Sequence, residues 1–320
     1  MQAIIIAGGK GTRLRPLTFN CPKPMLPLLQ RPYLAWLVWR CTQAGITNIL
    51  INVHHYAEQV MDYFGDGSQF SAQIDYILET EPLDTAGAIL LAETRLTGET
   101  LIVFNADILT DLDLRQLIEF HRQHDADATL TLTQVPDIKP FGLVELSGDR
   151  IVRFHEKPNP TEAENFLRQG INTVNAGTYV LEPRIFRHYT PNLPLSFERV
   201  VFPHTLEQGY KMQGFVWQGY WLDLGTPAKY LQGQCDILQG KLGSAWFDLT
   251  ETAYELVAGA WVSKTATVSP LASLSPPCFV GDYAMLGDQA VIPSGCIIGA
   301  NSLINRAINS GFYGERTILL

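Results

Sequence analysis

The sequence predicts an α/β fold in two unequal parts: a mostly parallel mixed sheet covered by helices, then a short left-handed parallel β-helix. Two observations carry this expectation. Over the first two-thirds of the chain, short β-branched runs alternate with helical stretches, the pattern of a sheet buried on both faces. Beyond residue 257 the period changes, and Val262, Val268, Leu274, Val280, Leu286, Ile292, Ile298 and Ile304 stand six apart without a miss. Two positions before each lies a small side chain: Ala260, Ala266, Ala272, Cys278, Ala284, Ala290, Cys296 and Ser302. Large residues can stack inside such a coil while small ones let the chain turn.

In chain order, strands are expected at Ala3–Ile6, Ile49–Val53, Ile74–Leu78, Leu101–Phe104 and Thr129–Thr133. Between them fall helices near Tyr33–Ala44, Tyr56–Phe64, Thr85–Ala92 and Leu114–His124. From about Phe141 the pattern is mixed, with strands near Gly142–Leu146, Ile151–His155, Val174–Leu181 and Met212–Val216. Ala228–Leu242 reads as a helix leaving this Rossmann-like domain. The expected division is residues 1–235 for the first domain, 236–256 for a linker helix and connection, 257–309 for the β-helix and 310–320 for a C-terminal tail. The hexads make between two and three triangular coils, too few to stand alone, so the coil is expected to pack on the first domain or a partner subunit.

Composition narrows the function. A 46% hydrophobic content over 320 residues excludes a disordered chain and leaves room for two domains. Charged residues are only 17%, against a usual ~25%, which points to extensive burial that includes a subunit interface. Lys+Arg 23 against Asp+Glu 32 gives a net charge of −9, so nucleic acid and anionic membrane are poor partners. The five cysteines (Cys21, Cys41, Cys235, Cys278, Cys296) include no Cys-x-x-Cys, so neither a disulfide framework nor a zinc ribbon has support. No apolar run approaches ~18 residues, and the opening Met1-Gln-Ala-Ile-Ile-Ile-Ala-Gly-Gly9 lacks a basic flank and reads as a buried strand. A cytoplasmic location is expected, as a homodimer or larger homo-oligomer joined through the exposed ends of the β-helix.

The first strand runs into Gly8-Gly-Lys-Gly-Thr-Arg-Leu-Arg-Pro-Leu-Thr18, followed by Cys21-Pro-Lys-Pro-Met25. Glycines after a strand of a parallel sheet let backbone N–H groups approach a phosphate or a base. The spacing fits neither the dinucleotide fingerprint nor the Walker loop. Lys10, Arg13, Arg15 and Lys23 instead gather four cations near the strand end, which in an acidic chain points to a polyanion such as a triphosphate. Asp107 closes the strand Leu101–Phe104, at the carboxyl edge where open α/β sheets bind ligands.

Those two segments resemble the signature of sugar-1-phosphate nucleotidyltransferases. Later segments keep the family's order: Glu81-Pro-Leu-Asp-Thr-Ala-Gly87, Asn105-Ala-Asp107, Phe141-Gly142, Glu156-Lys-Pro158, Asn175-Ala-Gly177 and Trp221-Leu-Asp-Leu-Gly-Thr-Pro227. The Pro-Lys-Pro form, the Glu-Pro-Leu loop and the hexad tail most resemble mannose-1-phosphate guanylyltransferases. The resemblance implies attack of a hexose 1-phosphate on the α-phosphorus of an NTP, with GTP and mannose 1-phosphate the best pair. A thymidylyl- or uridylyltransferase acting on glucose 1-phosphate is the nearest alternative. It further implies Mg²⁺ held by Asp107 and Asp223, with Arg13 and Lys23 stabilising the triphosphate and the leaving pyrophosphate. Nucleotide contacts would come from Ala7, Gly8, Gly9, Gly11, Thr12, Arg13, Glu81, Ala86, Gly87 and Asn105. The sugar phosphate would meet Gly142, Glu156, Lys157, Asn175 and Gly177.

Guanine shows two adjacent donors on its pairing edge, so a carboxylate at Glu81 would favour it over a pyrimidine. Two departures stand out: Asp84 where the family usually has glycine, and Ala106 where it often has glycine or serine. The C-terminus is also shorter than in many full-length relatives. A catalytically silent regulatory relative is disfavoured because Arg13, Lys23, Asp107 and Asp223 are all present. A hexapeptide acyltransferase is disfavoured because the last histidine of the chain is His204, before the hexads. His54 and His55 are neighbours on a strand end, point to opposite faces and make a poor metal pair.

Overall fold

The computed structural model describes residues 1–155, 158–191 and 193–320, without the side chains of Glu93 and Ser244. Four parallel strands build the first half of the main sheet: β1 (Gln2–Ile6), β2 (Asn48–Val53), β3 (Gln73–Leu78) and β4 (Leu101–Asn105). Between them run α1 (Tyr33–Gln43), α2 (Ala57–Phe64) and α3 (Asp84–Leu91). All seven lie within one residue of the sequence expectation. Ala3, Ile4 and Ile5 are fully buried, as a strand covered on both faces requires. Helix α1 buries nearly its whole circumference, including Leu34, Trp36, Leu37 and Val38, because it is sandwiched rather than laid on a surface.

The chain continues through β5 (Ile108–Thr110), α4 (Leu114–Gln123), β6 (Ala128–Gln134), β7 (Leu143–Ser147), β8 (Arg150–His155) and α5 (Pro160–Arg168). Then follow β9 (Thr173–Leu181), α6 (Phe202–Glu207), β10 (Met212–Val216), β11 (Trp221–Asp223) and α7 (Pro227–Leu238). The main sheet has the order β3-β2-β1-β4-β9-β6-β10-β8-β7. The expectation of a mostly parallel sheet needs correction, since four neighbouring pairs are parallel and four antiparallel. The crossover through α4 sets β6 two places from β4, and β9 fills the gap running against both. Helices α5 and α6 lie outside the sequence expectation, although Asn159 and Glu162 form a reciprocal cap on α5.

Residues 253–319 form a stack of parallel strands. Ala253–Val257 pairs antiparallel with Ala260–Ser263 and covers the first edge. From there Ala260 aligns with Cys278 and Cys296, Thr267 with Met285 and Leu303, and Ser273 with Val291, so the chain returns to each face every 18 residues. Val262, Val280, Leu286, Ile292, Ile298 and Ile304 are buried inside, while Val268 and Leu274 are half-buried. Segment 310–320, read from the sequence as a tail, instead supplies the last strands, Gly311–Tyr313 and Ile318–Leu319. Cys296 aligns with Gly311 and Leu303 with Ile318, so this turn is three residues short and falls out of hexad phase. Phe279 and Ile297 join the core formed by α1, α7 and one face of the main sheet, so the stack packs on the first domain. Among the described residues, no helix is long and apolar enough to cross a membrane.

Successive turns approach most closely at glycines. A β-carbon on Gly299 would lie 2.6 Å from the Glu315 nitrogen and the Gly314 carbonyl carbon, both backbone atoms. Gly299→Ala is therefore expected to lower stability by about 1–3 kcal/mol. Urea or thermal denaturation checks this, and an unchanged midpoint would contradict the close stacking.

Candidate active site

Strand β1 lies between β2 and β4, so the chain leaves the sheet in opposite directions on its two sides. That switch point opens a crevice beyond the strands' carboxyl ends. Ala7 follows β1 and donates its N–H to the Asn52 carbonyl, while Ala106 after β4 donates to the Ile6 carbonyl. A cleft of about 210 Å³ results, lined by Ile6, Ala7, Gly9, Lys23, Pro24, Thr85, Asn105, Ala106 and Asp107.

The glycine turn is built by close approach. A β-carbon on Gly8 would sit 2.7 Å from Glu79 Oε2 and 2.8 Å from Asn52 Oδ1, whereas Gly9 faces open space. Gly11 has φ +59°, and its carbonyl accepts from Thr18 Oγ1 at 2.8 Å. Thr12, Arg13 and Leu14 then make one 3₁₀ turn that buries Leu14 and leaves Thr12 and Arg13 exposed. Lys10 and Arg15 are exposed as well, with the Arg15 guanidinium over the Phe19 ring at 5.5 Å. Lys23 is different. Its side chain is only 14% exposed, and Nζ lies 2.7 Å from Asp107 Oδ2.

The two expected acidic residues lie at one end of a short ribbon. Strand β5 pairs antiparallel with β11 in a register that sets Asp223 opposite Ile108, the residue after Asp107. The Asp107 carbonyl accepts the Leu224 N–H at 2.8 Å. Asp223 Oδ1 is buried with no hydrogen-bond partner, an unusual state for a carboxylate oxygen. Among the described residues, no group of three or more His, Cys, Asp or Glu side chains is arranged to hold a metal. Two carboxylates, one with an unsatisfied oxygen, match the donor set of Mg²⁺, which commonly takes one or two carboxylates together with substrate phosphates.

On the other side of the cleft, β9 bulges between Asn175 and Tyr179. The buried Tyr179 hydroxyl accepts from Asn175 Nδ2 at 2.8 Å and from Asn105 Nδ2 at 3.4 Å. Burial pushes its pKa far up, so it stays a neutral phenol. Gly177 has φ +78°, and its N–H donates to Asn175 Oδ1 at 3.0 Å. The Gly142 carbonyl accepts the Asn175 N–H, so hydrogen bonds bring Asn105, Gly142, Asn175 and Gly177 together. Glu156 and Lys157 lie outside the described residues.

Glu81 is exposed, whereas Glu79, the first residue past β3, is buried under Gly8. Burial raises the Glu79 pKa above the ordinary glutamate value, against smaller opposing effects of Asn52 and His54. Ala86 and Gly87 both donate their N–H groups to the Leu195 carbonyl, at 2.9 and 3.0 Å, so those amides hold α3 in place rather than facing the cleft. Thr85 of the same turn lines the cleft instead. Sequence reasoning missed Glu79, Asn52, Thr85 and Tyr179; the signal for Glu79 was its place at the carboxyl end of a parallel strand. His54 Nδ1 lies 2.9 Å from the Glu79 carbonyl and His55 stacks on Tyr56, so the two histidines are separately engaged.

A larger cleft of about 770 Å³ lies at the seam with the strand stack, lined by Trp39, Trp246, Phe247 and Trp261 among others. Size is a poor guide here, because Asp107, its partner Lys23 and Gly9 of the glycine turn line the smaller cleft. Tyr179→Phe tests the scaffold of that cleft. Removing the shared acceptor leaves two amide groups short of a partner, and a loss of about 1–3 kcal/mol is expected in chemical denaturation; an unchanged stability would show that the tyrosine does not organise the two asparagines.

The nucleotidyl transferase family profile matches residues 2–240. A mannose-1-phosphate guanylyltransferase of Mycobacterium tuberculosis is 39% identical over 242 residues, 75% of this chain and 65% of that protein. The mannose-1-phosphate guanyltransferase of Pichia angusta is 33% identical over 266 residues, 81% of this chain and 70% of that protein. The chain thus spans just under two thirds of the M. tuberculosis protein. Among solved structures, HddC from Yersinia pseudotuberculosis complexed with GMP-PN gives a TM-score of 0.60 at 27% identity, covering 73% of this chain and 97% of that one. UDP-glucose pyrophosphorylase complexed with UDP-glucose gives 0.64 at 21%, covering 74% and 98%, and shows the shared fold. The profile runs from β1 through the carboxylate ribbon and α7, and the chain belongs to the nucleotidyl transferase family.

Proposed function

We propose that the protein transfers a guanylyl group from GTP to mannose 1-phosphate, releasing pyrophosphate and forming GDP-mannose. The observation that carries this reading is the Asp107–Lys23 pair lining the switch-point crevice, with Asp223, one oxygen of which lacks a partner, on the strand paired with the one that follows Asp107. The guanylyltransferase relatives and the HddC complex with GMP-PN support the choice of substrates.

The sugar phosphate's second pKa is about 6, so the nucleophile is already anionic at neutral pH and needs no general base. The protein's task is to bring two polyanions into line and screen their charge. The glycine turn presents backbone to the triphosphate. Lys23, fixed at the cleft by Asp107, and Arg13, free to swing in, would neutralise the phosphates and the leaving pyrophosphate. Asp107 and Asp223 would hold Mg²⁺, whose charge polarises the α-phosphorus when bound. Asn175 and Gly142 would meet sugar hydroxyls, and Glu156 and Lys157 the sugar and its phosphate. Guanine recognition moves from Glu81 to Glu79, whose buried carboxylate can accept from both donors of the guanine edge. We assign residues 1–235 to catalysis and 236–256 to the connection, and the strand stack that follows to a left-handed β-helix. This coil is also the proposed homo-oligomer contact, since Met285 and Ile318 are 53% and 64% exposed on one of its faces. Five free thiols fit action in the reducing cytoplasm.

Pyrophosphate release across four NTPs and several hexose 1-phosphates decides the substrates, and preference for dTTP or UTP over GTP would overturn the guanylyl reading. Asp107→Asn and Asp223→Asn are each expected to cut turnover by at least about 10²-fold. Asp223→Asn should leave stability equal or higher, because it removes a buried charge without a partner. Near-normal rates in both variants would defeat the metal assignment.

Glu79 makes a pH signature. The fold favours its protonated form, so stability from this group is present at low pH and is lost as pH rises through the raised pKa. Guanine binding runs the other way, because only the carboxylate accepts twice. The KM for GTP is therefore expected to rise as pH falls, earlier than an ordinary glutamate would titrate. Glu79→Gln should flatten that limb, lower kcat/KM for GTP by about tenfold or more and cost no stability at neutral pH. An unaltered pH profile would remove Glu79 from base recognition.

A further inference from the structure

Asp84 opens α3 with φ +63°, a left-handed conformation that a side chain makes costly and glycine adopts freely. Its carboxylate is held from two directions. Oδ1 accepts the Thr85 N–H at 2.8 Å, and Oδ2 accepts from Arg199 Nη2 at 2.5 Å. Arg199 stands on a single π-helical turn, Phe197–Val201, whose N-cap is Ser196. That segment grips the same loop through its backbone. The Leu195 N–H donates to the Leu83 carbonyl at 2.9 Å, and the Phe197 N–H donates to Thr85 Oγ1 at 3.0 Å. Thr85, next in sequence, lines the cleft.

We propose that the Asp84–Arg199 pair is a clip that positions the nucleotide loop, doing by charge at a left-handed position what glycine would do by conformational freedom. Arg199 is then a positioning residue for the NTP, a role that rests on the reading of this cleft as the nucleotide site. The two side chains are 31% and 66% exposed, so the effect is local, modest and weakened by salt.

The test uses the full chain with Arg199→Gln, Arg199→Lys, Asp84→Gly and a double variant that combines Asp84→Gly with Arg199→Gln. Arg199→Gln is expected to raise the NTP KM about three- to fivefold with little change in kcat, and Arg199→Lys to recover most of it. In the Asp84→Gly background Arg199→Gln should add nothing, because glycine needs no clip. Amide exchange at Thr85 should accelerate in Arg199→Gln alone, and the same substitution should leave it unmoved once Asp84→Gly is present. An equal KM defect in both backgrounds would mean that Arg199 touches the nucleotide itself and would overturn the clip. So would unchanged exchange and KM in Arg199→Gln, or a fall in kcat alone. If no NTP and sugar phosphate pair turns over, the proposed reaction fails, while the exchange comparison still decides the clip.

Discussion

The ribbon that pairs β5 with β11 is the constraint on which the rest of the site depends. A slip of one residue would turn the Asp223 side chain to the other face of the ribbon and change where it lies relative to Asp107. A pairing of three residues per strand is too short to hold its own register, so the surroundings must fix it. Leu109 and Leu222 bury the ribbon's inner side. Helix α7 comes down onto it at Gly233, where a β-carbon would be 2.9 Å from Leu224 Cδ2 and 3.1 Å from Leu109 Cδ2. The Tyr33 hydroxyl donates to the Ile108 carbonyl, and buried Arg40 donates to the carbonyls of Thr110 and Leu112. Helix α1, whose residues otherwise serve the core, thus sends two polar groups to hold the segment that carries the acids.

The strand stack contributes to the same end from behind. Tyr230 of α7 packs against Phe312 at 5.6 Å and donates its hydroxyl to the Pro27 carbonyl. Gln234 Oε1 accepts the Leu29 N–H at 3.0 Å, and Gln30 Nε2 donates to Asp282 at 3.0 Å. The segment after Lys23 is therefore clasped between α7 and the first turns of the coil. Cys21, just before Lys23, has its thiol pushed up to about 11, first by burial and then by the charge of Glu315. Among the described residues, none from the coil lines the small cleft, but the coil backs the loop that carries the lysine.

Legibility from sequence followed the range of the forces involved. The hexads are plain because each repeats one local requirement, a large residue inside and a small one at the turn. The three-residue contraction after Cys296 breaks that phase, and Gly311–Tyr313 and Ile318–Leu319 become invisible although they complete the same faces. Parallel strands β1 to β4 are equally clear, since continuous burial writes itself into composition. The insertion of β9 between β4 and β6 is not, because a gap in a sheet leaves no mark on the residues that later fill it. Asp107, Asp223 and Lys23 can be picked out by motif order, which points to Glu81, whereas the proposed base contact is Glu79. Both are acidic loop residues in sequence, and only the close approach of Gly8 to the Glu79 carboxylate separates them.

In the proposed reaction, Lys23 and Arg13 would divide the electrostatic work. Lys23 is nearly buried and already paired, so little reorganisation would accompany its action on an incoming phosphate. Its partner Asp107 prevents an unpaired ammonium from destabilising the free protein, which desolvation would otherwise ensure. Arg13 is exposed on a 3₁₀ turn and retains its hydration until a polyanion arrives. A fixed charge gives the site its geometry before binding, and a mobile one can follow charge as it moves toward the leaving group. Asp223 fits the same logic in the opposite sign. A buried carboxylate oxygen without a donor is costly in the free protein, and under the proposed assignment a bound cation would relieve that cost.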